Sequence, residues 1–240
     1  MCGRFLLITP EEVLGRVFDY VERPNLAPRY NIAPTQDVPV VRQRRKPQGQ
    51  RTIQMLRWGL VPSWADSLAG GAKMINARAE TVREKPAFRD AFLRRRCLVP
   101  ASGFYEWHPG DPEKQPFLIA RPDRGPIAFA GLWERWTAPK PDVVGAGGAP
   151  TGELPYVDSF TIITTDANAT LRPLHHRMPV ILAPEDYATW LGPDSAPDDL
   201  FALLRPAPED LLDFVPADRR VNSVRNDDAE LLRTPEAAAG

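Results

Sequence analysis

Cys97-Leu98-Val99-Pro100-Ala101-Ser102-Gly103-Phe104-Tyr105-Glu106-Trp107 opens the stretch whose reading decides the fold. Pro116-Phe117-Leu118-Ile119-Ala120 and Ile127-Ala128-Phe129-Ala130-Gly131-Leu132-Trp133 follow it. Each run is short, apolar and bounded by Gly, Pro or Ser, which is how buried strands read. Residues 97–99, 103–107, 116–120 and 127–133 are therefore successive strand candidates. On the C-terminal side, 159–165 and 178–182 read as further buried strands. On the N-terminal side, 38–41 and 52–58 do so around a polar, basic hairpin tip at 42–51.

Helix signals are fewer and lie at the edges. Thr9-Pro10-Glu11-Glu12 reads as Thr N-cap, Pro at N1 and Glu at N3, a capping box opening a helix to about Val17. Residues 86–95 place Phe88, Phe92 and Leu93 on one helical side, 184–191 end at Gly192, and 197–204 form another short helix. The chain holds 27 prolines, which break long helices and favour short strands and turns. Residues 137–155, with Gly145, Gly147 and Gly148, read as a flexible surface insertion, and 234–240 as a frayed tail. The expectation is an α+β fold: a single domain over 1–233 with an antiparallel, barrel-like β core and peripheral helices.

Charge and cysteine count narrow the function classes. Lys+Arg number 30 and Asp+Glu 31, so the net charge of −1 gives no support to indiscriminate coating of nucleic acid. Of the 30 basic residues only Lys46, Lys73, Lys85, Lys114 and Lys140 are lysine. Arginine grips phosphate bidentately as lysine does not, although a G+C-rich coding genome produces the same bias. Two cysteines cannot staple a chain of 240 residues. No apolar run is long enough to span a bilayer, and the start lacks a signal-peptide pattern, so a reducing cytoplasmic location is expected.

One of the two cysteines is residue 2. Initiator methionine is normally removed before a small residue, and removal of Met1 would leave an α-amine beside a thiol on Cys2. The amine titrates near about 7.7–8.0 and the thiol near about 8.5. A useful fraction of the amine is then unprotonated at neutral pH. It can condense with an aldehyde to an imine, and the adjacent sulfur can close on the same carbon to a five-membered thiazolidine, favoured because that step is intramolecular. The same terminus could act as a plain thiol nucleophile with its own amine as base, or Cys2 could simply be a small second residue.

Seven ordered blocks decide among these readings. They are Met1-Cys2-Gly3-Arg4-Phe5, Arg29-Tyr30-Asn31-Ile32-Ala33-Pro34-Thr35, Trp58-Gly59-Leu60-Val61-Pro62-Ser63-Trp64 and Ile75-Asn76-Ala77-Arg78-Ala79-Glu80-Thr81. Then come Pro100-Ala101-Ser102-Gly103-Phe104-Tyr105-Glu106-Trp107, Leu174-His175-His176-Arg177-Met178-Pro179-Val180-Ile181-Leu182 and Val221-Asn222-Ser223-Val224-Arg225-Asn226-Asp227. Together they resemble the SRAP family, SOS-response-associated peptidases also known as abasic-site-processing proteins. The pattern is departed from at Ser102, where the family block has Asp, and at Ala65, where members often carry a second aromatic.

The resemblance implies capture of abasic sites in single-stranded DNA through a thiazolidine on the N-terminal Cys2, a covalent DNA–protein crosslink that shields the lesion in the DNA damage response. It implies lyase-like crosslinking, with peptidase activity confined to removal of residues ahead of Cys2. Carried over by motif, Glu106 is the acid/base carboxylate, His175 acts on the sugar ring, and Asn76 holds the Cys2 terminus. Arg4 and Arg78 contact phosphate, Trp64 is the wedge on which bases stack, and Pro34 belongs to the DNA-contacting set. A monomer is implied, nucleoid-associated in a bacterial-type cytoplasm, without metal, small-molecule cofactor or membrane partner.

Each position also has a plainer reading. Glu106 in a strand would ordinarily face solvent. His175 and His176, in an extended segment, would face opposite sides, leaving His176 at the surface. Asn76 could serve a turn, and Arg78 a surface ion pair. Trp58, Trp107, Trp133 and Trp136 read as core, Arg94-Arg95-Arg96 as a cationic helix end, and Cys97 as a buried small hydrophobe. The alternative function is a class II glutamine amidotransferase, which also starts Met-Cys-Gly with Cys2 as nucleophile. Such proteins typically have an apolar residue in place of Arg4 and a later Asn-Gly pair, which this chain lacks. Cys97, His108, His175 and His176 lack the paired spacing of a zinc site.

Overall fold

The computed structural model describes residues 2–44, 49–108, 114–138 and 156–233. Among them the strands are β1 (Phe5–Leu7), β2 (Arg29–Ile32), β3 (Asp37–Gln43), β4 (Arg51–Trp58), β5 (Asn76–Arg78), β6 (Arg96–Ala101), β7 (Gly103–Trp107), β8 (Pro116–Ala120), β9 (Ile127–Thr137), β10 (Tyr156–Asp166), β11 (Arg177–Pro179), β12 (Ile181–Leu182) and β13 (Asp213–Pro216). The α-helices are α1 (Glu11–Phe18), α2 (Arg89–Arg94), α3 (Tyr187–Leu191) and α4 (Pro197–Ala202). Of the expected insertion at 137–155, Thr137 instead ends β9, and 139–155 lie outside the described residues, as do the tail 234–240 and 45–48 of the hairpin tip.

Five strands close a ring. β3 pairs with β4, β4 with β10, β10 with β9, β9 with β6, and β6 back with β3 at Val41 and Leu98. Along these strands Val38, Val40, Leu98, Ala130, Leu132 and their neighbours are all buried. Closure leaves no free edge along these strands. At Gly131 an added Cβ would lie 2.8 Å from the Cys97 sulfur, so this wall depends on the missing side chain. A second, antiparallel sheet runs in the order β13-β8-β7-β1-β2 and packs against the barrel through Phe5, which meets Trp58 and Phe129 edge-on at centroid distances of 5.0 and 5.8 Å. The α+β, barrel-like expectation holds.

Several local expectations are corrected. The barrel is not wholly antiparallel: β10 pairs in parallel with β4 and β5. Pairing partners distant in sequence leave no local signature, so this was not legible. The N-cap of α1 is Pro10, with no side-chain capping bond. The Thr9 hydroxyl instead shares a 2.8 Å hydrogen bond with Ser102 Oγ, which also accepts from the Ile8 and Thr9 amides at 2.9 and 3.1 Å. In α2, Phe92 is buried but Leu93 is 44% exposed, because the helix spans only Arg89–Arg94 and too few turns exist to bury both. The 178–182 segment divides at Val180, whose amide donates to Ile163 O while its carbonyl accepts from Ala130.

Arg95 and Arg96 are structural. Arg95 pairs with Glu134 at 2.5 Å, and buried Arg96 donates to the carbonyls of Trp190, Phe92 and Gly192, tying α2 to α3. Trp58, Trp136 and Cys97 are buried as expected, whereas Trp107 and Trp133 are half-buried. Trp107 lies against Arg4, and Trp133 lies beneath Arg42. Among the described residues no helix is long and apolar enough to cross a membrane.

Candidate active site around Cys2

Antiparallel register brings Cys2 to Glu106. β1 and β7 pair Phe5 with Phe104 and Leu6 with Gly103, and the Tyr105 amide donates to Arg4 O at 2.9 Å. Continued toward the N-terminus, this register sets Gly3 opposite Glu106. Glu106 shares the sheet face of Phe104, which looks into the main core, while Tyr105 faces a smaller apolar cluster with Leu6, Leu118 and Val221. Both faces of β7 are therefore covered, and Glu106 is only 5% exposed, which overturns the solvent-facing default. Burial raises its pKa, so its carboxyl keeps a proton to higher pH than an exposed Glu. Cys2 is fully buried, and burial, followed by the charge of Glu106, pushes its thiol well up.

Asn76 arrives through β10. Ile162, Ile163 and Thr164 pair in parallel with Asn76, Ala77 and Arg78 of β5. Ala77 points into the core, so Asn76 and Arg78 share the other face. Asn76 Nδ2 donates to Cys2 O at 2.9 Å, and its Oδ1 is buried without a partner among the described residues. Arg78 is exposed.

The far end of β10 carries the histidines, since Asp166 pairs with Arg177 of β11. The Arg177 amide donates to His175 Nδ1 at 2.9 Å, which puts the proton of the neutral ring on Nε2. Burial lowers the His175 pKa to about 4, so the ring is neutral at physiological pH. His175 is half-buried and His176 exposed, as expected. Their rings do not face opposite sides, however: the pair sits in a turn and stacks at a centroid distance of 4.4 Å. Arg177 itself is buried, forking onto the Glu80 carboxylate at 2.7 and 2.9 Å and reaching Asp166 at 2.8 Å and Thr164 O at 2.6 Å.

The remaining candidates line the surroundings. Arg4 is half-buried, with Nη1 donating to Asn31 Oδ1 at 2.8 Å and Val221 O at 2.9 Å. Trp64 is 66% exposed. Its loop is pinned by Val61 N to Ser159 Oγ at 2.8 Å and by Trp136 Nε1 to Ala65 O at 2.6 Å. Pro34 is half-buried in the β2–β3 turn, beside Thr35, whose φ is +72° and whose amide donates to Trp58 O. The structure thus bonds Asn76 to Cys2, sets Glu106 close enough to act on the Cys2 thiol, and brings His175, beside Arg177 of β11, to the end of β10.

Sequence reasoning missed the supporting residues Asn31, Glu80, Arg177 and Asp227. Buried Asn31 and the Asp227 carboxylate, which accepts from Arg29, Tyr30 N and Asn31 N, clasp the C-terminal block to β2. Their only signal was membership of the motif blocks.

Residues 1–224 match the family model described as SOS response associated peptidase (SRAP). The chain belongs to this family. It is 37% identical over 239 residues to the abasic site processing protein YoqW of Bacillus subtilis, covering 98% of this chain and all of that protein. It is 32% identical to the chicken abasic site processing protein HMCES, covering 97% of this chain and 77% of that one. A Bacteroides thetaiotaomicron protein solved by X-ray crystallography superposes with a TM-score of 0.81 at 25% identity, covering 98% of this chain and all of that one.

Proposed function

We propose that this protein, after loss of Met1, crosslinks through Cys2 to abasic sites in single-stranded DNA. The observation that carries the reading is the convergence of Cys2, Asn76 and buried Glu106 at one point of the fold. The names of the relatives agree with it.

The raised thiol pKa favours an amine-first order, since the thiolate is not the resting form. The Cys2 amine adds to the C1′ aldehyde of the opened sugar to give a carbinolamine. Glu106, whose pKa burial raises, gives a proton to the departing hydroxyl and takes one back from the nitrogen; water leaves and an imine forms. The sulfur then adds to the imine carbon and its proton ends on nitrogen, so aldehyde and aminothiol become thiazolidine and water. His175, neutral, donates a hydrogen bond from its Nε2–H to the ring oxygen as the sugar opens. Asn76 fixes the Cys2 carbonyl and keeps Oδ1 as an acceptor for a donor of the substrate. Arg4 and Arg78 bind flanking phosphates, Pro34 borders the strand, and Trp64 stacks a base, a contact worth about 1–3 kcal/mol. The protein acts as a monomer without metal or cofactor, and its peptidase activity is limited to exposing Cys2.

The test is a denaturing gel of the protein with an oligonucleotide carrying one abasic site, after intact mass has established loss of Met1. A shifted band is expected from wild type and none from Cys2→Ala. No band from wild type, or an undiminished band from Cys2→Ala, overturns the reading. Glu106→Ala and His175→Ala are expected to slow crosslinking while DNA affinity is largely kept. Ammonia release from glutamine would support the amidotransferase alternative instead.

A further inference from the structure

The C-terminal clasp has a feature that the Cys2 chemistry does not use. The Asn31 side-chain amide donates to three carbonyls of one turn, Val221 at 3.2 Å, Ser223 at 3.0 Å and Asn226 at 2.7 Å. Asp227 is held by Arg29 and by the Asn31 amide at 2.9 Å. Both shoulders of the turn are therefore fastened to β2, and the two residues between them, Val224 and Arg225, stand out from it. Val224 is 47% exposed. Arg225 is exposed and has no hydrogen bond or ion pair among the described residues. Its acidic neighbours are already neutralised, Asp227 by Arg29 and Asp228 by Arg220 at 2.8 Å. The tip thus carries an uncompensated guanidinium beside an apolar side chain.

The clasp also fixes where that tip stands. The Val221 carbonyl receives Arg4 Nη1, and Asn222 Oδ1 receives Trp107 Nε1 at 2.7 Å, one residue from Glu106. The turn thus packs against Arg4 and Trp107, the chain neighbours of the Cys2 and Glu106 positions. We propose that the 223–226 turn is a phosphodiester-binding subsite, with Arg225 gripping a backbone phosphate of the DNA strand beside the abasic nucleotide and Val224 resting on the adjoining sugar. The assignment rests on the abasic-site reading of Cys2. Charge complementarity selects the occupant, since a guanidinium forks onto phosphate oxygens and the apolar neighbour suits deoxyribose.

The experiment is a salt titration of binding to an undamaged single-stranded oligonucleotide by fluorescence anisotropy, comparing wild type, Arg225→Gln and Arg225→Lys. For Arg225→Gln the slope of log affinity against log salt is expected to shrink by about 0.7, the value for one phosphate contact on a single strand, with affinity at low salt falling roughly three- to tenfold. Arg225→Lys is expected to keep the slope. Crosslinking of the wild type to an abasic oligonucleotide is run in parallel. A wild-type slope in Arg225→Gln, or wild-type protein that does not bind single-stranded DNA at low salt, overturns the subsite. Failure of wild type to crosslink overturns the Cys2 reading instead, so the two failures are distinguishable.

Discussion

Burial displaces Glu106 and His175 in opposite directions, and each displacement has a thermodynamic consequence. The Glu106 pKa is raised above its unfolded value, so its contribution to stability is fully present below the ordinary carboxylate range and is lost as pH rises through the folded pKa. Glu106→Gln is therefore expected to stabilise the fold at pH 8 more than at pH 4, measured by urea unfolding, while slowing crosslinking. His175 is lowered to about 4, so the folded state binds fewer protons than the unfolded one between about 6.5 and 4, and stability falls as pH falls through that window. His175→Gln is expected to narrow the difference in midpoint between pH 7 and pH 5; an unchanged gap would remove His175 from the account. Ser102 illustrates a departure that the structure explains: its hydroxyl accepts from two amides where the family block has an acid.

At the scale of elements, the strands of the 97–133 stretch were legible because they are continuous apolar runs bounded by Gly, Pro or Ser. Strands 103–107 and 116–120 have the observed limits, and 127–133 is short by four residues because its polar end, Glu134 to Thr137, breaks the apolar run. What could not be read was pairing. Nothing near Asn76 announces that β5 lies parallel to β10, and nothing near Asn31 announces the turn that it holds. Within the site, identities were legible through the motif blocks, whereas the burial of Glu106 needed the cover on both faces of β7. The Trp64 loop shows how a motif glycine serves geometry. Gly59 has φ +122°, and a Cβ there would lie 2.6 Å from the Gly71 carbonyl. Gly59→Ala is expected to cost on the order of 1–3 kcal/mol from backbone conformation alone, and more from the clash. A drop of several degrees in thermal midpoint checks it, and an unchanged midpoint would mean that the loop can move away freely.

For the whole molecule, a net charge of −1 and the covalent product proposed for it separate rate from extent. Raising salt is expected to slow crosslinking, because encounter with DNA depends on a few arginines, but to leave the final yield unchanged, because the bond once formed does not depend on screening. A time course at two ionic strengths checks this, and a lower end point at high salt would contradict it. The clasp of Asn31 and Asp227 onto residues 221–227 has a further consequence, in the order of synthesis. In a growing chain β2 is made well before the turn that Asn31 and Asp227 fasten to it, so β2 waits for a partner about 190 residues further on. A chain cut before residue 221 would keep Cys2 and Asn31 but leave the Asn31 amide without the carbonyls it holds.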